Sequence, residues 1–193
     1  NDSRGIPKAK RGCDVYVFRQ LPLLQDGNFG MTEAEEYRAL KEFARENKMF
    51  EVALKGALSE IRFKAFLESQ GHTVTKSENS DNNGTPDFVV QTLDGETLIV
   101  EHKRASKYRY KNGDFRVEVQ KSRNSGECKS NRLYPEGFCD IVSVDVSEHT
   151  GIANDYRYIS CGDLERNQKF PDRIKAIQKE DKELWRHTLT ENK

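Results

Sequence analysis

Pro86-Asp87 is followed, after a run of strand-like sequence, by Glu101-His102-Lys103. The two acids lie 14 positions apart (101 minus 87), a separation that a short β-hairpin closes. Two carboxylates brought together can hold a hard divalent cation. A lysine beside them can orient or deprotonate an attacking water and offset the charge of a pentacovalent phosphorus. The expected chemistry is metal-assisted hydrolysis of a phosphodiester, with Mg²⁺ as cofactor and Mn²⁺ able to substitute. Asp87 and Glu101 are the expected metal ligands, with the backbone carbonyl of His102 as a third oxygen.

The segment between the acids must fold so that they meet. Leu93-Asp94-Gly95 fits a three-residue hairpin loop with Gly95 in the left-handed conformation. Thr92 then faces Glu96, Val90 faces Leu98, Phe88 faces Val100 and Asp87 faces Glu101. One sheet face carries Phe88, Val90, Leu98 and Val100. The other carries Asp87, Val89, Ile99, Glu101 and Lys103, because residues two apart on a strand share a face. A two-residue turn would shift the pairing by one and put Asp87 on the wrong face. His102 alternates away from the acids, so its ring is expected to pack or meet solvent.

Other residues are candidates to join this set. Glu60 lies mid-helix, with small Gly56 and Ala57 nearby permitting close approach, and could complete the metal shell directly or through water. Gln120 ends an alternating stretch, Phe115-Arg-Val-Glu-Val-Gln120, and could bond the attacking water or Lys103 if that strand adjoins the hairpin. Between Lys103 and Arg132 ten Lys/Arg stand against three acids. Of these, Lys107, Arg109, Lys121, Arg123, Lys129 and Arg132 are candidate phosphate contacts, with Tyr108, Tyr110 and Tyr134 interspersed. Each has a plainer reading: a salt bridge for the ExK pair, an exposed helix acid for Glu60, a polar strand face for Gln120 and ordinary solvated surface for the basic run.

The remaining elements are legible from periodicity and punctuation. Thr32 caps a first helix to about Asn47, with Glu35 at the capping-box position. A second helix is expected from about Phe50 to Gln70, with Leu54, Leu58, Ile61 and Ala65 on its buried face, widened by Phe63, Phe66 and Leu67. Gly71 stops it. Strands are expected at His72–Thr75, Cys139–Val146 and Tyr156–Ser160, and a last helix from Pro171 to about His187 with Ile174, Ile177, Leu184 and Trp185 inward. This order implies an α/β fold with a mixed central sheet flanked by helices. Residues 1–30 read as an irregular N-terminal arm and 31–193 as a single domain, its core at about 50–160.

Hydrophobic residues make up 35% and charged residues 33% of 193, and the formal net charge is zero. The chain is polar for a globular protein, and a nucleic-acid partner would need a segregated basic face. The four cysteines are dispersed with no CxxC, which argues against a zinc site. No secretory signal or bilayer-length apolar run is present, so a reducing cytoplasmic setting with free thiols is the default expectation. The four histidines are scattered, and no phosphate-binding glycine motif occurs. The first residue is Asn1, not methionine, and a fragment of something longer is consistent with that.

Glu60, Pro86-Asp87, Glu101-His102-Lys103 and Gln120, taken in order, resemble the PD-(D/E)xK nuclease superfamily. That superfamily includes type II restriction endonucleases, Holliday junction resolvases and repair nucleases. The likeness covers about Gly56 to Val146. It implies the restriction-endonuclease-like core, with Asp87 and Glu101 as metal ligands, Lys103 catalytic, Glu60 an accessory acid and Gln120 a weaker carry-over. It also implies DNA as partner and restriction-type cleavage, with a junction resolvase or repair nuclease as the alternative. A homodimer or a partner subunit would match palindromic targets. A different class, a non-cleaving nucleic-acid-binding module on the same fold, is disfavoured by the intact trio.

Overall fold

The computed structural model describes residues 32–78, 85–121, 132–180 and 184–189. The expected N-terminal arm, Arg123 and Lys129 lie outside them. The chain divides into two compact units, Asn1–Glu46 and Asn47–Lys193. In the first, α1 (Glu33–Glu46) begins with a reciprocal cap. Glu35 Oε2 accepts from the Thr32 N–H at 2.7 Å and from its hydroxyl at 2.8 Å, while Thr32 Oγ1 accepts from the Glu35 N–H.

The second unit opens with α2 (Lys48–Ser69), and Asn47 is its cap rather than a mere break. Its Oδ1 accepts from the Phe50 N–H at 3.2 Å, satisfying one of the free amides of the first turn. Gly71, at φ +91°, ends the helix as expected. The buried face differs from the expected one. Ser59, Phe63 and Leu67 face inward at spacings of four, while Ile61 is 64% exposed. A serine occupies the centre of the stripe because its hydroxyl has buried partners, and the apolar pattern hides this.

Among the described residues, seven strands make one mixed sheet. They are β1 (Thr73–Lys76), β2 (Phe88–Gln91), β3 (Thr97–Arg109), β4 (Phe115–Glu118), β5 (Ile141–Asp145), β6 (Tyr156–Ser160) and β7 (Ile177–Lys179), with the short helix α3 (Ser147–Thr150) between β5 and β6. The long β3 organises the sheet. Its first half pairs antiparallel with β2, its middle parallel with β5, and its far end antiparallel with β4. The outer strands β1, β6 and β7 pair with β2, β5 and β4 respectively, all antiparallel.

The hairpin register agrees with the sequence reading: Phe88 faces Val100 and Val90 faces Leu98. Gly95 sits at φ +85° and donates to the Thr92 carbonyl at 3.0 Å. Phe88, Val90 and Val100 pack beneath α2 with Phe63, Leu67, Tyr156 and Tyr158. On the opposite face Val142, Val144 and Ile159 join Phe115, Val117, Tyr134 and Trp185. Burial on both faces explains the nearly continuous apolar run of β5.

The expected C-terminal helix does not form. Around Pro171 the chain makes bridges, Pro135 with Arg173 and Arg166 with Ile174, and then becomes β7 against β4. Between Pro171 and Glu180 the buried positions are Ile174, Gln178 and Glu180, an even spacing that belongs to extended chain. Two of the three are polar, so hydrophobic periodicity could not register them. Gln178 is satisfied by backbone, donating to the Glu165 and Lys175 carbonyls and accepting from the Glu165 N–H. No helix among the described residues is long and apolar enough to cross a membrane.

Candidate active site

Asp87 stands one residue ahead of β2, and the observed register continued by one step sets it opposite Glu101. The Asp87 carboxylate accepts the His102 backbone N–H at 2.8 Å, which ties the two strands together at this level. Glu101 is 1% exposed. Its Oε1 forms an ion pair with Lys103 Nζ and accepts the Tyr134 hydroxyl at 2.6 Å. Its Oε2 is buried without a hydrogen-bond partner among the described residues. Lys103 Nζ lies 3.5 Å from the Tyr134 hydroxyl, which closes a triangle of Glu101, Lys103 and Tyr134. The structure therefore brings Asp87, Glu101 and Lys103 together at one end of the hairpin, and adds Tyr134.

The electrostatics follow from burial and like charge. Burial, and then the neighbouring Glu101 charge, push the Asp87 carboxyl up to about 7 against the pull of Lys103. Burial works against the Lys103 ammonium, but Glu101, Tyr134 and Asp87 outweigh it and hold the group above its ordinary range. Lys103 thus stays protonated, a hydrogen-bond donor and point charge at neutral pH. The Tyr134 phenol is raised, by burial first, and stays neutral.

Behind the acids, His102 packs rather than meeting solvent. Its ring stacks on Phe63, with centroids 4.4 Å apart and planes 9° from parallel. Ser59 Oγ lies 2.9 Å from His102 Nε2 and donates to Asp145 Oδ2 at 2.8 Å. A hydroxyl has one proton, so Ser59 accepts from Nε2–H, and Nδ1 faces the Ser143 hydroxyl at 3.2 Å. Burial drives the imidazole down to about 3, so it stays neutral. Ser59→Ala would leave Nε2–H and Asp145 short of a buried partner. Urea unfolding should show a loss of about 1–3 kcal/mol with an unchanged m-value.

Glu60 is close enough to raise Asp87 slightly, and its Oε2 lies 3.8 Å from Lys76 Nζ. Gln120 is half-buried just beyond β4, and no described hydrogen bond joins it to Lys103, Asp87 or Glu101. Of the basic candidates, Lys107 is exposed and lies over the Tyr108 ring. Arg109 is pinned, donating to the His149 carbonyl at 2.6 Å and lying over Phe115. Lys121 and Arg132 are half-buried, joined by a backbone hydrogen bond from Lys121 to Arg132 at 2.9 Å. Arg132 Nε is buried without a partner among the described residues. Sequence reasoning missed Tyr134 as a site member and Ser59, Ser143 and Asp145 as supports. No local spacing signals them, since each meets the site from an element distant in sequence.

Among the described residues no three His, Cys, Asp or Glu side chains converge as metal ligands. A cation here would have two carboxylates, backbone oxygen and solvent. The donor set fits a hard divalent ion on two counts. The Glu101 Oε2 lone pairs have no donor among the described residues, and the Asp87–Glu101 repulsion is what a positive charge relieves.

No family model and no curated protein sequence matches the chain. Among solved structures, a bacterial homing endonuclease, I-Ssp6803I, superposes with a TM-score of 0.43 at 20% identity, covering 56% of this chain and 68% of that one. A superposition that loose carries no argument about activity.

Proposed function

We propose that this chain is a Mg²⁺-dependent DNA endonuclease that hydrolyses phosphodiester bonds in restriction-type fashion. The observation supporting this reading most directly is the buried Glu101 carboxylate. One of its oxygens is held by Lys103 and Tyr134, and the other has no hydrogen-bond partner among the described residues beside Asp87. A structural ion pair alone gives no reason for a second acid at this point, where it raises the cost of ionising Asp87.

Asp87 and Glu101 would hold the cation, with the His102 carbonyl available and Glu60 reached through water. The bound ion would supply Lewis-acid polarisation of the phosphate and acidification of water. Lys103, protonated, would donate to a non-bridging phosphate oxygen or orient the attacking water. Its proton excludes it from accepting one in the same state. Tyr134 would hold the Glu101 carboxylate in one orientation. Lys107, Lys121 and Arg132 would contact phosphates along the strand, with Arg123 and Lys129 beside them in sequence.

Incubating the purified chain with supercoiled and linear plasmid, in Mg²⁺ or in EDTA, tests the reading. Discrete Mg²⁺-dependent fragments are expected, and no cleavage with Mg²⁺ or Mn²⁺ on either substrate would overturn it. Calorimetric titration with Mg²⁺ gives a readout independent of turnover: binding is expected in the wild type and lost in Asp87→Asn. Tyr134→Phe should lower cleavage by about tenfold and raise the Mg²⁺ concentration needed for half-maximal rate, because Glu101 Oε1 loses a donor.

A further inference from the structure

The far half of β3 is built differently from the half that carries Glu101 and Lys103. Its ladder with β5 ends at Arg104 and Asp145, and among the described residues no strand continues on that side. On the other side Ala105 faces Val117 and Arg109 faces Phe115. Four steps on β3 (109 minus 105) thus run against two on β4 (117 minus 115), and the surplus residues form a bulge. The bulge is held from α3. His149 Nε2 lies 2.8 Å from the Ser106 carbonyl, which can only accept, so Nε2 carries the proton. Nδ1 then accepts from Arg109 Nε at 3.4 Å, and Arg109 Nη2 donates to the His149 carbonyl at 2.6 Å.

The bulge presents Lys107 and Tyr108, both exposed, Tyr108 by 60%. Lys107 Nζ lies 4.9 Å from the Tyr108 ring centroid, so a positive charge and an aromatic face form one patch. The hairpin then turns at Gly113, at φ +89°, whose N–H donates to the Tyr110 carbonyl at 2.9 Å. From Lys103 to Gly113 the sequence has five Lys/Arg and no acid. The nearby acids are already engaged, Glu148 with Arg104 and Asp114 with Lys179. A bulge and a lysine would be enough to blunt an open strand edge. Edge protection gives no reason for an exposed aromatic ring against the ammonium, whereas a polyanion with a groove does.

We propose that the β3–β4 hairpin is the element that reads double-stranded DNA, with Lys107 on a phosphate, Tyr108 in the adjacent groove and His149 as the positioning residue that holds the bulge. The choice of partner rests on the nuclease reading. A two-stranded ribbon fits the major groove, which is about 12 Å wide. Lys103 and the patch lie on one strand, four and five positions apart (107 and 108 minus 103). At about 3.3 Å per residue that is roughly 13–17 Å. It corresponds to about four to five base pairs at about 3.4 Å each. One strand thus sets the spacing between the bases contacted and the phosphate cut.

The test is fluorescence anisotropy of the full chain on a labelled mixed-sequence duplex of about 30 base pairs, in EDTA, across about 50–200 mM KCl. The wild type should bind, and more weakly as salt rises. Tyr108→Ala should weaken binding by about fivefold or more, and Lys107→Ala should lower the salt slope by about one. Lys169→Ala is the matched control, because Lys169 also lies over an aromatic ring, that of Phe170, and it should bind as the wild type does. His149→Ala should weaken binding, and His149→Gln, able to donate to Ser106 and accept from Arg109, should restore much of it. Equal affinities and parallel salt slopes for the wild type and both hairpin variants would overturn the proposal. An equal loss in Lys169→Ala, or no duplex binding by the wild type, would do the same. A His149→Gln as weak as His149→Ala would remove His149 from it. Plasmid cleavage in Mg²⁺ separates this from the nuclease reading. Cleavage with unaltered binding in both hairpin variants sinks the hairpin alone, and hairpin-dependent binding without cleavage sinks the nuclease reading alone.

Discussion

Lys103→Ala is expected to lower Mg²⁺-dependent plasmid cleavage by about 10²–10⁴-fold while leaving DNA binding, read by gel shift in Ca²⁺ or EDTA, within a few-fold of wild type. The ammonium is the positive group paired with the buried Glu101, and it is held protonated by Glu101, Tyr134 and Asp87. A group so placed acts on charge that develops in the transition state, which is why its loss should appear in rate rather than in affinity. Removing it also strands a buried carboxylate, so the variant should unfold more easily, by about 3–5 kcal/mol if the pair were fully dry and less if solvent reaches the gap. Lys103→Arg separates the two effects. The charge and the ion pair survive and stability should largely return, but a planar guanidinium does not occupy the same point in space, so cleavage should stay low. Recovery of both properties in Lys103→Arg would reduce Lys103 to a counter-ion for Glu101. Cleavage unchanged in Lys103→Ala would remove it from the chemistry altogether.

The part of this arrangement that sequence could reveal is the part set by short-range geometry. Gly95 fixes a hairpin loop, the loop fixes the register, and alternation then decides that Asp87, Glu101 and Lys103 share a face while His102 turns to the other. Gly71 ends α2 because a cap answers a local need of the backbone, whereas Asn47, read as a break, is its N-cap. Reading failed where polar groups are buried through distant partners. Ser59 displaces Ile61 from the buried face because its hydroxyl is satisfied by His102 and Asp145, 43 and 86 positions away. The strand β7 passed for a helix because Gln178 and Glu180 point inward, the former bonded to backbone and the latter near Arg157 at 3.4 Å. Tyr134 reaches Glu101 across 33 positions, and nothing near it in sequence announces the contact. Inward polar residues need their partners before they can be told from surface.

Asp87→Asn is expected to abolish cleavage, by about 10²-fold or more, while making the metal-free protein more stable at neutral pH. The sign follows from the direction of the Asp87 shift. Its carboxyl titrates near 3.8 when unfolded and about 7 when folded, with burial as the first cause and the Glu101 charge as the second. Between those values the folded chain binds a proton that the unfolded chain has released. Stability in EDTA should therefore fall as pH rises from about 4 to about 7 and level off above that. Below about 4 both states carry the proton and this contribution to the slope vanishes. Asparagine keeps an oxygen for the His102 N–H but never ionises, so the variant should lack this downward slope and gain up to about 4 kcal/mol over wild type at pH 8. Added Mg²⁺ should reverse the order, because the wild type gains binding free energy that Asp87→Asn cannot, and the increment grows with the logarithm of the free ion concentration. Thermal unfolding of both proteins at pH 5 and pH 8, with EDTA or Mg²⁺, measures all of this in one experiment. An acid that costs stability when empty and returns it when a cation arrives is held in place for the cation. A wild type indifferent to Mg²⁺ in that experiment would leave Asp87 as a structural carboxyl bound to the His102 amide.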